Sequence, residues 1–293
     1  MKTLGLVGAR GYVGRELVTL ATRHGGFDLQ LAISLRDGKS PAEVAAERLD
    51  AYVLALPNGA SEPYVDAITR ARPDAVIVDL SADHRFDASW VYGQPERKRA
   101  SIALARRIAN PGCYATATQL ALAPLVPLLD GPANVFGVSG HSGAGTTPSP
   151  KNDPDALRDN LMPYALVGHV HEREVAAQLE CRLFFMPHVA SFFRGITVTV
   201  SVALARPCSR PELEARYREA YASEPLVRVQ DDIPLVRDIA GKHEVVIGGL
   251  TVSDDGRHAV VVATIDNLLG GAATQALRNL NLALGIPENR GVI

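Results

Sequence analysis

The chain has 293 residues, 47% hydrophobic and 21% charged, enough for one large domain or two moderate ones around ordinary buried cores. Thirty basic against thirty-two acidic residues leave a net charge of -2, which points to neither nucleic acid nor an anionic membrane as partner. Three widely spaced cysteines, Cys113, Cys181 and Cys208, form no CxxC pair; this excludes a disulfide framework and a zinc site and suits a reducing, cytoplasmic setting.

The first residues run straight into a strand, which leaves no room for a signal peptide, and no apolar stretch approaches the ~20 residues of a membrane-spanning helix. Strands are predicted at residues 3–7, 29–34, 52–56 and 75–80, and helices at 14–24, 41–48 and 60–71. That alternation is the signature of βαβ units in a parallel sheet. The basic group Arg97, Lys98, Arg99, Arg106 and Arg107 reads as covering an exposed connection. A helix follows over 113–122. After about residue 132 the texture changes, with strands at 134–139, 196–205, 245–252 and 259–265, a small-residue loop at 140–147 and a helix at 211–222. Strict alternation over 196–205 marks a half-buried strand of an antiparallel sheet. A last helix, 272–284, is placed to return to the first domain.

Two places carry chemistry on residue type alone. Gly8-Ala9-Arg10-Gly11-Tyr12-Val13-Gly14 lies between the first strand and the first helix. Glycines there permit the tight turn and let backbone reach a pyrophosphate at the helix N-terminus, although the spacing is GxxGxxG. At the end of the second strand stand Ser34, Arg36 and Lys39, a hydroxyl and two cations that suit a 2′-phosphate and hence NADP. Asp37 is a counter-signal, and Arg36 also reads as a solvated loop residue. The second place is Asn110-Pro111-Gly112-Cys113-Tyr114, where Pro and Gly break the chain and Cys113 opens a helix. A thiol in the positive end of a helix dipole gains thiolate character, whereas Cys181 and Cys208 read as small buried hydrophobes.

These residues resemble the N-acetyl-gamma-glutamyl-phosphate reductases and, more distantly, the aspartate-semialdehyde dehydrogenases. The resemblance spans nearly the whole chain. It rests on residues 8–14, Leu56-Pro57-Asn58-Gly59, Asp79-Leu80-Ser81-Ala82-Asp83, Asn110 to Tyr114, the Ser139 to Gly145 loop, Pro187-His188, Arg194-Gly195-Ile196 and Asp266-Asn267-Leu268. It implies a Rossmann-type α/β domain over 1–112, completed by the C-terminal helix within 268–293, and an α+β catalytic and dimerisation domain over 113–267 with a largely antiparallel sheet. It further implies an NADPH-dependent acyl-phosphate reductase of arginine biosynthesis, a homodimer or homotetramer, with Cys113 as nucleophile and His169 of the His-x-His-x-x-Glu segment as acid/base. Gly8, Arg10, Gly11, Tyr12, Val13, Gly14, Ser34, Arg36, Pro57, Ser142, Gly143 and Asn267 are the expected NADP contacts, with Asn267 at the nicotinamide carboxamide. Asn110, His188 and Arg194 are the expected substrate contacts, with the Arg194 fork on a carboxylate. Trp90 and Phe184, Phe185, Phe192 and Phe193 are expected in the core or at a subunit contact.

Two departures stand out: the stretch between Lys39 and Leu49 is short for the family, and Val170 and Arg173 replace the Arg and Pro common in the histidine segment. Rival readings share the chemistry on carrier-bound aminoadipyl phosphate or on aspartyl phosphate. A third is a non-catalytic NADP-binding regulator.

Overall fold

The alternating first hundred residues fold into a fully parallel sheet. In the computed structural model, which describes residues 1–293, the chain forms two units: residues 1–112 with 272–293, and residues 113–271. The first contains β1 (Lys2–Val7), α1 (Tyr12–Arg23), β2 (Phe27–Ile33), α2 (Pro41–Ala46), β3 (Ala51–Leu54), α3 (Glu62–Ala71), β4 (Val76–Asp79), β5 (Val91–Tyr92), α4 (Pro95–Leu104) and β6 (Arg107–Ala109). The strand order is β2-β1-β3-β4-β6-β5. Direction reverses between β1 and β3, and the carboxyl edge at such a reversal is where an open parallel sheet receives a ligand.

Strand pleating sends alternate side chains to opposite faces. Val7, Leu31, Ile33, Tyr52 and Leu54 pack with Val44 of α2 and Ile68 of α3, while Leu4, Leu6, Leu29 and Val53 meet Leu17 of α1 on the other side. Helix starts carry their own chemistry. At α2, Ser40 accepts from the Glu43 N–H, Glu43 accepts from the Ser40 N–H, and Pro41 opens the first turn.

The basic group expected on an exposed connection spans α4, the link after it and the start of β6. Arg107 donates to the Ala75 carbonyl at 2.9 Å and to the Thr69 hydroxyl at 2.6 Å, and Arg99 pairs with Glu288 at 2.5 Å. These elements hid in the sequence because β5 and β6 are too short to show a period. Helix α4 buries only Pro95 and Ile102 and breaks helical geometry at Lys98.

The second unit runs α5 (Cys113–Leu122), β7 (Ala133–Gly140), α6 (Pro154–Leu157), β8 (Leu161–Pro163), α7 (Val170–Leu179), β9 (Leu183–Ala190), β10 (Ile196–Ala203), α8 (Arg210–Ala220), β11 (Val227–Val229), α9 (Val236–Ile239), β12 (Val245–Val252) and β13 (His258–Ile265). Its sheet, β11-β12-β13-β10-β7-β9-β8, is antiparallel except where β11 meets β12 and β7 meets β9. Ile196, Val198, Val200 and Val202 of β10 are buried in one core with Phe185 and the α5 residues Tyr114, Leu120 and Leu122. The opposite face leaves Phe136 and Phe184 exposed.

The last helix, α10 (Thr274–Ala283), belongs to the first unit. Leu277 and Leu280 join the α1 side of the parallel sheet. Arg278, with 5% of its side chain exposed, pairs with Glu96 at 2.5 Å and with Glu288. Removing one member of a buried ionic group strands the others, so Arg278→Ala is expected to destabilise the protein by about 3–5 kcal/mol. The midpoint and slope of urea unfolding measure that change.

Candidate active site

In the first unit the turn after β1 is shaped by close backbone packing. Gly8 has φ +102°, and a Cβ there would fall on the Ala55 carbonyl; a Cβ on Gly14 would fall on the Gly8 carbonyl. Gly11 is the N-cap of α1, so no side chain caps the helix's first turn. This is a cradle that only glycine permits, and it fits a dinucleotide pyrophosphate. Pro57 is exposed beyond β3, next to Asn58, which accepts from the Ala82 N–H at 3.0 Å, and Gly59, which donates to Asp83 at 2.8 Å.

Past β2 the structure brings Ser34 to Arg10, with Asp37 between them. Asp37 accepts from the Ser34 N–H at 2.6 Å, the Ser34 hydroxyl at 3.1 Å and Arg10 Nη2 at 2.5 Å. Lys39 pairs instead with Glu47 at 2.9 Å, and Arg36 is exposed. Asn110 needs correction as a substrate contact. It is 1% exposed, its amide lies near the Pro111 and Ala272 carbonyls, and its oxygen accepts from Asn279 at 3.0 Å. It fastens the segment before the cysteine.

In the second unit Cys113 is half-buried at the start of α5, and every later residue of that helix is buried. A helix apolar all round belongs inside a core, which fixes its first residue firmly. Its far end is held by Tyr217 and Tyr221, whose hydroxyls donate to the Ala121 and Leu120 carbonyls. Gly271 lies against the cysteine: a Cβ there would stand 2.7 Å from the Cys113 Cβ.

Around the thiol is an aromatic cluster. The Tyr114 hydroxyl donates to the His188 carbonyl at 2.7 Å, and its ring meets Phe185 at 5.0 Å and His171 at 6.0 Å. His169 lies 4.8 Å from His171, 5.3 Å from Phe185 and 5.6 Å from Tyr164, centroid to centroid. Burial first, then neighbouring negative charge including the Cys113 thiolate, pushes the Tyr114 and Tyr164 hydroxyls well above the ordinary tyrosine range. Both stay protonated donors. Lys151 sits 4.8 Å above the Tyr164 ring. His169 is the N-cap of α7, and its Nδ1 accepts from the His171 N–H at 3.1 Å. That bond assigns the neutral ring's proton to Nε2. Burial, then Lys151, lowers the His169 pKa to about 4.

The other expected residues are placed differently. Asn267 is buried, accepting from the Gly195 N–H at 2.7 Å and donating to Ser142 at 2.9 Å. It therefore shapes the Ser142–Gly143 loop, and a second N–H of its amide is left over from these two bonds. Gly143 itself is exposed, with Ser139 Oγ where a Cβ would go. Arg194 presents Nε and Nη2 to Asp266 at 2.6 and 2.9 Å, so one edge of the fork expected for a carboxylate substrate is held by an acid of the fold. His188 is on the wrong face of β9. Phe185 faces the cysteine cluster, His188 has the opposite parity, and it packs 4.4 Å from Phe136 on the open side of the sheet. Tyr164 and Lys151 carry no sequence signal, whereas Tyr114 and Asp266 lie in quoted motifs without an assigned role.

A parallel sheet turned by glycines at its switch point places the chain in the dinucleotide-binding α/β class, and a cysteine opens a buried helix in its second unit. The comparisons agree. Residues 3–105 match the semialdehyde dehydrogenase NAD binding domain, and residues 113–267 the semialdehyde dehydrogenase dimerisation domain. The N-acetyl-gamma-glutamyl-phosphate reductase of Xanthomonas euvesicatoria pv. vesicatoria is 53% identical, covering 98% of this chain and 97% of its own. That of Stenotrophomonas maltophilia is 52% identical over 98% and 96%. Aspartate semialdehyde dehydrogenase II of Vibrio cholerae has the same fold, with a TM-score of 0.78 at 16% identity over 97% and 98% of the two chains. The chain belongs to the semialdehyde dehydrogenases and, within them, to the N-acetyl-gamma-glutamyl-phosphate reductase family.

Two outcomes follow from this geometry. Gly271→Ala must displace the cysteine, and a displacement of about 1 Å is expected to slow turnover about 10²-fold while circular dichroism stays unchanged. The His169 pKa lies below the ordinary 6.5, so its neutral form stabilises the fold above pH 6.5 and that contribution is lost as pH falls toward about 4. Melting temperature against pH should decline across that window, and the decline should be shallower in His169→Gln.

Proposed function

We propose that this chain reduces N-acetyl-gamma-glutamyl phosphate to N-acetyl-L-glutamate 5-semialdehyde and phosphate, with NADPH, as a step of arginine biosynthesis. The observation that carries the reading is Cys113 at the head of a buried helix, with Tyr164 near both the thiol and the helix-capping His169, in a chain 53% identical to reductases of that name. The first unit holds the cofactor through the Gly8–Gly14 cradle, Arg10 and Ser34, with Pro57 at the rim. NADPH, when bound, supplies a hydride. A structural relative from Candida albicans, aspartate semialdehyde dehydrogenase with NADP, has this fold at a TM-score of 0.72.

The second unit supplies the covalent chemistry. Cys113 Sγ, as thiolate, attacks the acyl carbon; the C–O bond to phosphate breaks, and the leaving phosphate takes the electron pair and a proton from solvent. Cys113 then carries the acyl group as a thioester. After reduction of the carbonyl carbon, the oxyanion collapses, the C–S bond breaks and its electron pair returns to sulfur as the aldehyde leaves. His169, neutral with its proton on Nε2, donates a hydrogen bond to the oxygen that gains charge in both steps. Tyr164 is a second donor. Lys151 is the cation available to the phosphate.

The protein functions as a homodimer or homotetramer in the cytoplasm. Support for assembly comes from the open face of the second unit's sheet, where Phe136, Phe184 and His188 lie together, and from the matched dimerisation domain. Support for a reducing compartment comes from three cysteines outside any disulfide.

The test is the reverse reaction. With NADP and inorganic phosphate, N-acetylglutamate semialdehyde is expected to give phosphate-dependent NADPH absorbance, and aspartate semialdehyde none. Cys113→Ser is expected to lower that rate by roughly 10⁴-fold or more with NADPH binding intact. Equal rates with both aldehydes, or a Cys113→Ser variant near the normal rate, contradicts the proposal.

A further inference from the structure

Asp37 is the one acid at the adenosine end of the cradle, and its position is unusual for a pocket expected to receive a phosphate. β2 ends at Ile33, and a short turn over Leu35–Asp37, closed by Gly38 at φ +72°, folds the Asp37 side chain back onto the strand end. One carboxylate oxygen accepts from the Ser34 N–H at 2.6 Å and the Ser34 hydroxyl at 3.1 Å; the other accepts from Arg10 Nη2 at 2.5 Å. A backbone N–H, a hydroxyl and a guanidinium are the donor set that proteins assemble around a phosphate dianion. Of the other two cations nearby, Lys39 is paired with Glu47 and Arg36 is exposed, so neither is in the donor set that holds Asp37.

From this geometry we infer that the Asp37 carboxylate occupies the donors that the cofactor's 2′-phosphate requires, and so sets how well the protein discriminates NADPH from NADH. The inference rests on the reading that the Gly8–Gly14 turn binds NADPH. A 2′-phosphate must displace Asp37 from Ser34 and Arg10 and then remain beside a like charge. NADH, which has only a ribose hydroxyl there, meets neither obstacle. Asp37 therefore lowers NADPH affinity selectively. The chain's own charge holds its discrimination below what Ser34 and Arg10 alone would give. The turn supports this role because Asp37 accepts from Ser34 in a reciprocal cap, so the carboxylate is held at the donors and does not sweep solvent.

The experiment is direct binding of NADPH and of NADH, by calorimetry, to the full chain and to Asp37→Asn, Asp37→Ser and Arg10→Ala. Removing the charge is expected to tighten NADPH about tenfold and leave NADH unchanged in both Asp37 variants. Arg10→Ala is expected to weaken NADPH alone. Unchanged or weaker NADPH binding in both Asp37 variants would overturn the inference. So would a loss of NADH affinity in them, which would make Asp37 a ribose-hydroxyl acceptor that selects NAD. If the unmodified protein binds neither nucleotide, the nucleotide reading of the turn fails and this inference fails with it; if it binds NADPH and the Asp37 variants do not differ, only the inference fails.

Discussion

The geometry around the cysteine depends on one buried carboxylate. Asp266, at the end of β13, is fully buried and accepts from Arg194 through two nitrogens, from the Gly241 N–H at 2.6 Å and from the Leu268 and Leu269 N–H groups at 2.9 Å. Its own carbonyl accepts from the Gly271 N–H at 2.9 Å, and Gly271 is the residue whose missing Cβ makes room for Cys113. Asn267 then reaches to Gly195 and Ser142. Two consecutive residues thus tie the β9–β10 connection, the small-residue loop after β7 and the glycine packed on Cys113. A buried charge is tolerated only when its hydrogen-bonding capacity is filled, and here that requirement fixes the loops.

Cys113 is held rigidly for a different reason. Helix α5 is buried on all sides, so its residues have no alternative packing, and the hydroxyls of Tyr217 in α8 and Tyr221 just after it satisfy carbonyls near its end. The His169 ring is fixed by a backbone bond. Because the α7 N-terminus uses His169 Nδ1 as its cap, the neutral ring keeps its proton on the other nitrogen, and burial keeps it neutral. The cap that starts the helix therefore also sets the tautomer.

Much of this was legible from residue pattern. The glycine turn, the four strands and three helices of the first hundred residues, and the alternation of β10 follow from backbone sterics and periodicity. The cysteine was legible because Pro and Gly precede it. The sequence hid β9, which contains Pro187 and reads as an unbroken aromatic-aliphatic run, and it hid α4, β5 and β6, which are short or mostly polar. It also named residues whose partners it did not reveal. Asn110, Asn267 and Arg194 have the chemistry to bind ligands, yet Asn110 is buried and the other two give part of that capacity to the fold, while His188 is carried to the other face by one step of strand parity. Residue type announces capacity; only packing shows whether that capacity is already used. Tyr164 and Lys151 gave no local signal, and Asp266 gave no hint of its role, because these roles arise from neighbours distant in sequence.

The central claim is that an acyl group passes through a covalent bond to Cys113. The most direct measurement mixes the protein with N-acetyl-gamma-glutamyl phosphate in the absence of nicotinamide cofactor, quenches in acid and maps the peptides by mass spectrometry. The account predicts one N-acetylglutamyl group on the peptide containing Cys113, released by hydroxylamine and discharged as aldehyde when NADPH is added before the quench. Phosphate release with no adduct on that peptide, or an adduct confined to Cys181 or Cys208, would contradict it.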